Sequence, residues 1–270
     1  MLEADHRVAA CWLEGSFASE TTDAWSDIDM HVAVRDDNFD TFLADRLHTL
    51  NRIRTVLAYG EASLPWSAHL VYATMSGPVR FDLYIERLDN LEAVPRWEEP
   101  RLLFQREAIG SRLQVVTDIS TFVRSWLEGL MQSFFFGAMW PVRLWGREEW
   151  GTLLMNSLAI TYQFLVPAMM VQDDPRNYYR PPYHNEHRLR PERRQEINAL
   201  LEEILRAFRG IGRGEVDFEG LVHLHEVQFG LLWRELRVAC TKWGVTYPEV
   251  AEKEMQDYYR RELGFNIKSV

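Results

Sequence analysis

Residues 13–32 read LEGSFASETTDAWSDIDMHV and contain the most informative pattern in the chain. An apolar run ends there at Gly15 and Ser16, a pair that lets the backbone approach a ligand and accept phosphate oxygens. Asp27 and Asp29 follow after ten intervening residues, at the start of a predicted strand. Side chains two positions apart on a strand share a face, so the two carboxylates converge. Because converging carboxylates repel each other, the pattern favours a hard divalent cation such as Mg²⁺ between them.

A third acid lies in RFDLYIER, residues 80–87, where the apolar side chains alternate as in a strand. If this strand pairs beside the first, Asp82 joins Asp27 and Asp29, and three carboxylates with Mg²⁺-ATP suit two-metal phosphoryl chemistry. Glu86 lies four residues further on, on the same face, and is a candidate general base. The alternatives are loop capping for Asp27 and Asp29, and solvent-facing strand positions for Asp82 and Glu86.

The pattern along the chain predicts an α+β protein that changes character near residue 112. Residues 1–112 read as a small mixed-sheet domain, and residues 113–270 as a helical bundle. Strands are predicted from the alternation, with a helix at 39–50 and a turn at 76–78. The predicted strands cover residues 6–12, 30–34, 69–74 and 79–85. Beyond the boundary, five helices are predicted over residues 119–139, 147–171, 192–209, 217–243 and 248–263, with a proline-rich loop at 172–191.

Composition limits the classes of protein. The 270 residues carry a net charge of −10, which makes nucleic-acid binding unlikely because such proteins present a basic face. No apolar run reaches 18 residues, and the N-terminal segment MLEADHRVAA lacks an export signal, so no membrane association is expected. The two cysteines suit a reducing cytoplasm. The helical half is apolar enough for a homodimer, and the sequence leaves the oligomeric state open.

The spacing of Gly15-Ser16, Asp27-x-Asp29 and a later strand Asp82 resembles the DNA polymerase β-type nucleotidyltransferase superfamily. Within it, ACWLEGSFASETTDAWSDIDMHVAV, residues 10–34, is similar to the lincosamide nucleotidyltransferases and the streptomycin 6-adenylyltransferases. The stretch RFDLYIERLDNLE, residues 80–92, resembles the third-carboxylate strand of the latter. The helical half is similar to theirs in length and layout.

The resemblance implies roles for the matching residues. Gly15 and Ser16 would bind the nucleotide phosphates, Asp27 and Asp29 would bind two magnesium ions, and Asp82 would be a further metal ligand or the general base. The helical half would bind the substrate. The implied reaction moves AMP from ATP to a hydroxyl of a lincosamide or aminoglycoside. The alternative is a regulatory, antitoxin-like nucleotidyltransferase module that modifies or binds a protein partner.

Overall fold

The computed structural model describes residues 1–24, 26–64, 68–77, 79–176 and 188–264. The chain divides into two compact units, Met1–Thr117 and Asp118–Val270. The first unit contains a six-stranded mixed sheet and the described part of the second is helical, so the predicted α+β class is confirmed. Residues 177–187 of the predicted loop, and Pro78 of the predicted turn, lie outside the described residues.

The sheet of the first unit has the order β3-β4-β5-β2-β1-β6. Its one parallel pair joins the two central strands, β2 and β5, and the other pairs are antiparallel. The strands are β1 (Val8–Glu14), β2 (Ile28–Val34), β3 (Val56–Ser63), β4 (Ala68–Met75), β5 (Val79–Arg87) and β6 (Arg101–Gln105). A parallel pair needs a long crossover connection, and the chain between β2 and β5 supplies it.

One face of the sheet is covered by helices. The short helix α1 (Gly15–Ala18) follows β1, whereas this cover is formed by α2 (Phe39–Ala44) and α3 (Arg46–Ile53), which follow β2. Phe42 and Leu50 from these two helices pack against the alternate apolar side chains of β2 and β5 in a buried core. The opposite side chains of the same strands, among them Asp29 and Asp82, are therefore left for the other face of the sheet.

Two strands were not predicted. β3 and β6 are the two outer strands of the sheet, and most of their residues are exposed or half-buried. Without a buried face they lack the apolar alternation on which a strand prediction depends. The helix predicted over 39–50 is also interrupted, because Asp45 separates α2 from α3.

The second unit contains long helices packed through apolar side chains. They are α4 (Ser120–Gly137), α5 (Trp140–Gly146), α6 (Trp150–Ile160), α7 (Val166–Asp173), α8 (Pro191–Ala207), α9 (Phe218–Trp243) and α10 (Glu249–Leu263). Asp217 is the N-cap of α9, and its carboxylate accepts a hydrogen bond of 2.8 Å from the Gly220 N–H. Gly244 ends the same helix with φ +64°.

The helical stretch Trp150–Asp173 departs from a regular helix at its centre. Pro167, near the start of α7, is preceded by a π-helical segment, Thr161–Leu165. Proline has no N–H to donate to the preceding turn, so the wider turns in front of it absorb the break. By length and composition this stretch could cross a membrane. However, 56% of its apolar 18-residue segment is buried inside the protein, as in the core helix of a folded domain.

Candidate active site

The three acids singled out in the sequence lie close together in space. Asp29 of β2 and Asp82 of β5 are register partners in the parallel pair, so they share one face of the sheet. Asp27 directly precedes β2. Carboxylate oxygens of the three residues lie within 4.8 Å of one another. Such a cluster offers the oxygen ligands that Mg²⁺ takes in proteins.

The electrostatics of the cluster favour a bound cation. Burial raises the pKa of Asp29 to about 7, and repulsion from Asp27 and Asp82 adds to the effect. Burial also raises the pKa of Asp82, although the Arg80 guanidinium opposes the rise. Asp29 and Asp82 therefore resist ionisation, and a divalent cation bound between the carboxylates would stabilise their charged forms.

Arg80 supplies a positive charge to the cluster. Its Nη2 lies 3.1 Å from Asp82 Oδ2 and its Nε 3.7 Å from Asp27 Oδ2. The side chain is 58% exposed, so the guanidinium can move away when a metal ion binds. Arg80 was not predicted from the sequence, although its position two before Asp82 places both side chains on one strand face. An acidic site that already attracts a cation fits the magnesium ions implied by the sequence.

Gly15 brings the backbone against the cluster. Its φ is +66°, a conformation that favours glycine, and a Cβ at this position would overlap Asp29 Oδ2. Ser16 follows as the second residue of α1. The pair predicted to bind phosphate therefore lies beside the carboxylates, and only glycine allows Asp29 its position.

We expect Gly15→Ala to weaken divalent-cation binding about tenfold, because the new methyl group displaces the Asp29 carboxylate. Titration calorimetry with Mn²⁺ measures this. Gly244→Ala is the matched control: its φ is +64° but no atom lies within 4 Å of the added Cβ. It should cost about 1 kcal/mol of stability and leave Mn²⁺ binding unchanged. Equal Mn²⁺ affinities in Gly15→Ala and the wild type would contradict the close approach.

A buried cluster of charged residues lies next along the same face of the sheet. Glu86 Oε1 lies 2.7 Å from His31 Nδ1, and Glu86 Oε2 accepts a hydrogen bond of 2.6 Å from Arg96 Nη2. Arg96 Nη1 also donates to Glu14 Oε1 at 2.8 Å. Burial alone would raise the pKa of Glu86, but the hydrogen bonds and charges of His31 and Arg96 outweigh it and hold the pKa below its usual value.

Glu86 therefore lies in a buried charged cluster beside the acids, on the same face of the sheet. Its side chain is 1% exposed, and both carboxylate oxygens have nitrogen partners. The catalytic role predicted for Glu86 stays a prediction, whereas the geometry describes a residue that anchors its neighbours. His31 was not predicted as a site residue, although it continues the two-residue period of Asp27 and Asp29. Arg96 was not predicted either, because it lies outside the strands, where no alternation of side chains distinguishes it.

Aromatic rings stack across the three strands that carry the site. The His31 ring stacks on Tyr84 with centroids 4.2 Å apart and on Trp12 with centroids 5.4 Å apart. The three residues are register partners on β1, β2 and β5, so the stack is one row of the sheet beside the row of acids. Stacked rings on neighbouring strands stabilise the pairing of β1, β2 and β5 on which the meeting of the carboxylates depends.

No protein-family model matches the chain, and no curated protein matches it. Among solved structures, an aminoglycoside 6-adenyltransferase from Bacillus subtilis is similar over 96% of this chain and 94% of its own length, with 11% sequence identity and a TM-score of 0.32. Similarity at this level carries no argument about function, so the chemistry of this chain has to be inferred from its own residues.

Proposed function

We propose that this protein is a magnesium-dependent nucleotidyltransferase that moves AMP from ATP to a hydroxyl group of a small molecule. The observation that supports the proposal most is the meeting of Asp27, Asp29 and Asp82 within 4.8 Å, with the backbone of Gly15 against Asp29. Carboxylates on neighbouring strands beside a close-approaching backbone suit a nucleotide triphosphate and its magnesium ions. Aminoglycosides and lincosamides are the acceptors we propose to test first.

Each residue has a distinct task in the proposed reaction. Asp27, Asp29 and Asp82 would hold two magnesium ions, which when bound neutralise the charge of the triphosphate and of the attacking oxygen. Gly15 and Ser16 would hold the phosphates through their backbone N–H groups. His31 and Glu86 would fix the strands behind the site. Positioning and charge neutralisation then account for most of the acceleration.

The transfer is a single displacement at the α-phosphorus. The acceptor oxygen forms a bond to phosphorus, the bond between the α-phosphorus and the bridging oxygen breaks, and pyrophosphate leaves with the electron pair. The acceptor's proton passes to a carboxylate of the cluster, and Asp82 is our candidate because it lies on the side of Asp29 away from Gly15 and the phosphates.

Pyrophosphate release tests the proposal. The wild-type protein with Mg²⁺-ATP should release pyrophosphate only when an acceptor from a panel of aminoglycosides and lincosamides is added. Asp27→Asn serves as the blank, and Asp40→Asn is the matched control, because the Asp40 side chain is 90% exposed and lies on α2. Acceptor-dependent release in the wild type and Asp40→Asn, lost in Asp27→Asn, would support the proposal. Equal release by Asp27→Asn would refute it.

A further inference from the structure

A straight row of side chains crosses the sheet through the candidate active site. In register from one edge strand inward, the row contains Gly60, Tyr72, Asp82, Asp29 and Glu14. Register partners on neighbouring strands point to the same face. Tyr72 of β4 is therefore the neighbour of Asp82 on the side away from Asp29.

The position of the Tyr72 ring depends on a glycine. A Cβ at Gly60 would overlap three atoms at the hydroxyl end of the ring, so the ring extends over Gly60, away from Asp82 and along the surface of the sheet. Tyr72 is 44% exposed, in contrast to the buried alternate residues Val71 and Ala73. One aromatic face is thus supported by the backbone of β3 and the other is accessible beside the acids.

The in-line geometry of the proposed reaction places the acceptor over the Tyr72 ring. Pyrophosphate and the attacking hydroxyl lie on opposite sides of the α-phosphorus in phosphoryl transfer. Gly15 lies against Asp29, so the leaving phosphates occupy the Asp29 side of the cluster. The attacking hydroxyl then approaches from the opposite side, over Asp82, and the rest of the acceptor extends over Tyr72.

We propose that Tyr72, supported by Gly60, is the platform on which a saccharide or cyclitol ring of the acceptor lies while its hydroxyl reaches Asp82. This inference rests on the proposed function and names its acceptor subsite. Such rings present a face of C–H groups carrying partial positive charge, which the negative face of an aromatic ring attracts. Amino substituents strengthen the attraction, since a cation over an aromatic face is also favourable.

Binding measurements test the platform separately from turnover. Streptomycin and lincomycin are titrated by calorimetry into the protein saturated with Mg²⁺ and α,β-methylene-ATP, a nucleotide that cannot transfer AMP. We expect Tyr72→Ala to weaken binding of the accepted probe about tenfold. Tyr72→Phe keeps the ring and should bind within about twofold of the wild type. Gly60→Ala keeps Tyr72 but lifts its ring, so it should resemble Tyr72→Ala.

Affinity for the nucleotide separates the two proposals. All variants should bind Mg²⁺ and α,β-methylene-ATP as tightly as the wild type, which also shows that they are folded. Loss of nucleotide affinity in Tyr72→Ala, with the acceptor unaffected, would place the ring against the nucleotide and overturn the platform. Probe affinities that are equal in Tyr72→Ala and the wild type, or a wild type that binds nucleotide but neither probe, would also overturn it. A wild type that does not bind Mg²⁺ and nucleotide would instead refute the proposed function.

Discussion

Asp29→Asn is expected to lower nucleotidyl transfer by at least about 10³-fold and, in the absence of metal, to make the protein more stable. The two effects have one cause. Asp29 lies between Asp82 on β5 and the backbone of Gly15. Its negative charge there stabilises a bound cation and destabilises the folded protein when no cation is bound. A residue selected for folding alone would show the opposite relation between stability and activity.

The pH dependence of stability measures the free-energy cost of ionising Asp29 in the metal-free protein. Burial and repulsion raise the pKa of Asp29 from 3.8 to about 7. Below pH 3.8 the carboxyl is protonated in both states, and between pH 3.8 and 7 only the folded protein retains the proton, so stability falls as the pH rises. Each pKa unit corresponds to about 1.4 kcal/mol, so ionising Asp29 costs on the order of 4 kcal/mol above pH 7. Asparagine removes the part of this slope that comes from Asp29 and, since its buried amide still loses hydration, should add on the order of 2 kcal/mol at pH 8.

Urea unfolding from pH 4.5 to 8 in a chelating buffer gives the free energy of unfolding of both proteins. Addition of Mg²⁺ should then stabilise the wild type and leave Asp29→Asn unchanged. Asp40→Asn, at an exposed carboxylate of α2, should follow the wild type in every condition. A metal-free Asp29→Asn protein that is less stable than the wild type at pH 8 would show that Asp29 stabilises the fold, and would remove the main support for a cation site.

The part of the site that could be predicted is the part encoded locally. Asp27 and Asp29 share a face because of strand periodicity alone, and a glycine before a helix is visible in the sequence. The meeting of Asp29 with Asp82 depends on a parallel pairing between strands that are far apart in the chain, and no local pattern specifies that register. The resemblance to nucleotidyltransferases supplied this pairing as an expectation, and Asp82 lies in register with Asp29.

The buried charged cluster beside the acids contains contacts that no local sequence pattern predicts. Arg96 contacts Glu14, which is 82 positions away in the chain, and reads in the sequence as an ordinary loop arginine. Tyr72 reads as one aromatic residue of an alternating strand, and its importance appears only when β4 is seen beside Asp82. Outer strands such as β3 were missed because their exposure removes the apolar alternation. Local periodicity reports which face a residue occupies, and the partner across that face is set by the tertiary fold.

Arg96→Leu is expected to destabilise the protein by about 3 to 5 kcal/mol, since it leaves the buried Glu86 carboxylate without its guanidinium partner and with His31 as its remaining partner among the described residues. Arg96 and Glu86 are each 1% exposed and their charged atoms are 2.6 Å apart. Water cannot replace the lost partner at this depth, so the pKa of Glu86 should rise towards that of a buried neutral acid. Urea unfolding at pH 7 measures the loss. Arg260→Leu is the control, because Arg260 and Asp257 form an exposed pair at 2.8 Å whose removal should change stability by less than about 1 kcal/mol.

The double variant Arg96→Leu/Glu86→Leu decides whether uncompensated charge is the cause. Removing both charges should restore much of the stability, because a buried pair replaced by apolar residues is often neutral. If the double variant is no more stable than Arg96→Leu, the loss comes instead from the contact between the Arg96 guanidinium and the Trp12 ring, which lie 4.8 Å apart. Recovery of stability by the double variant, together with nucleotidyl transfer close to the wild-type rate, would also exclude Glu86 as the general base and leave Asp82 as the proton acceptor.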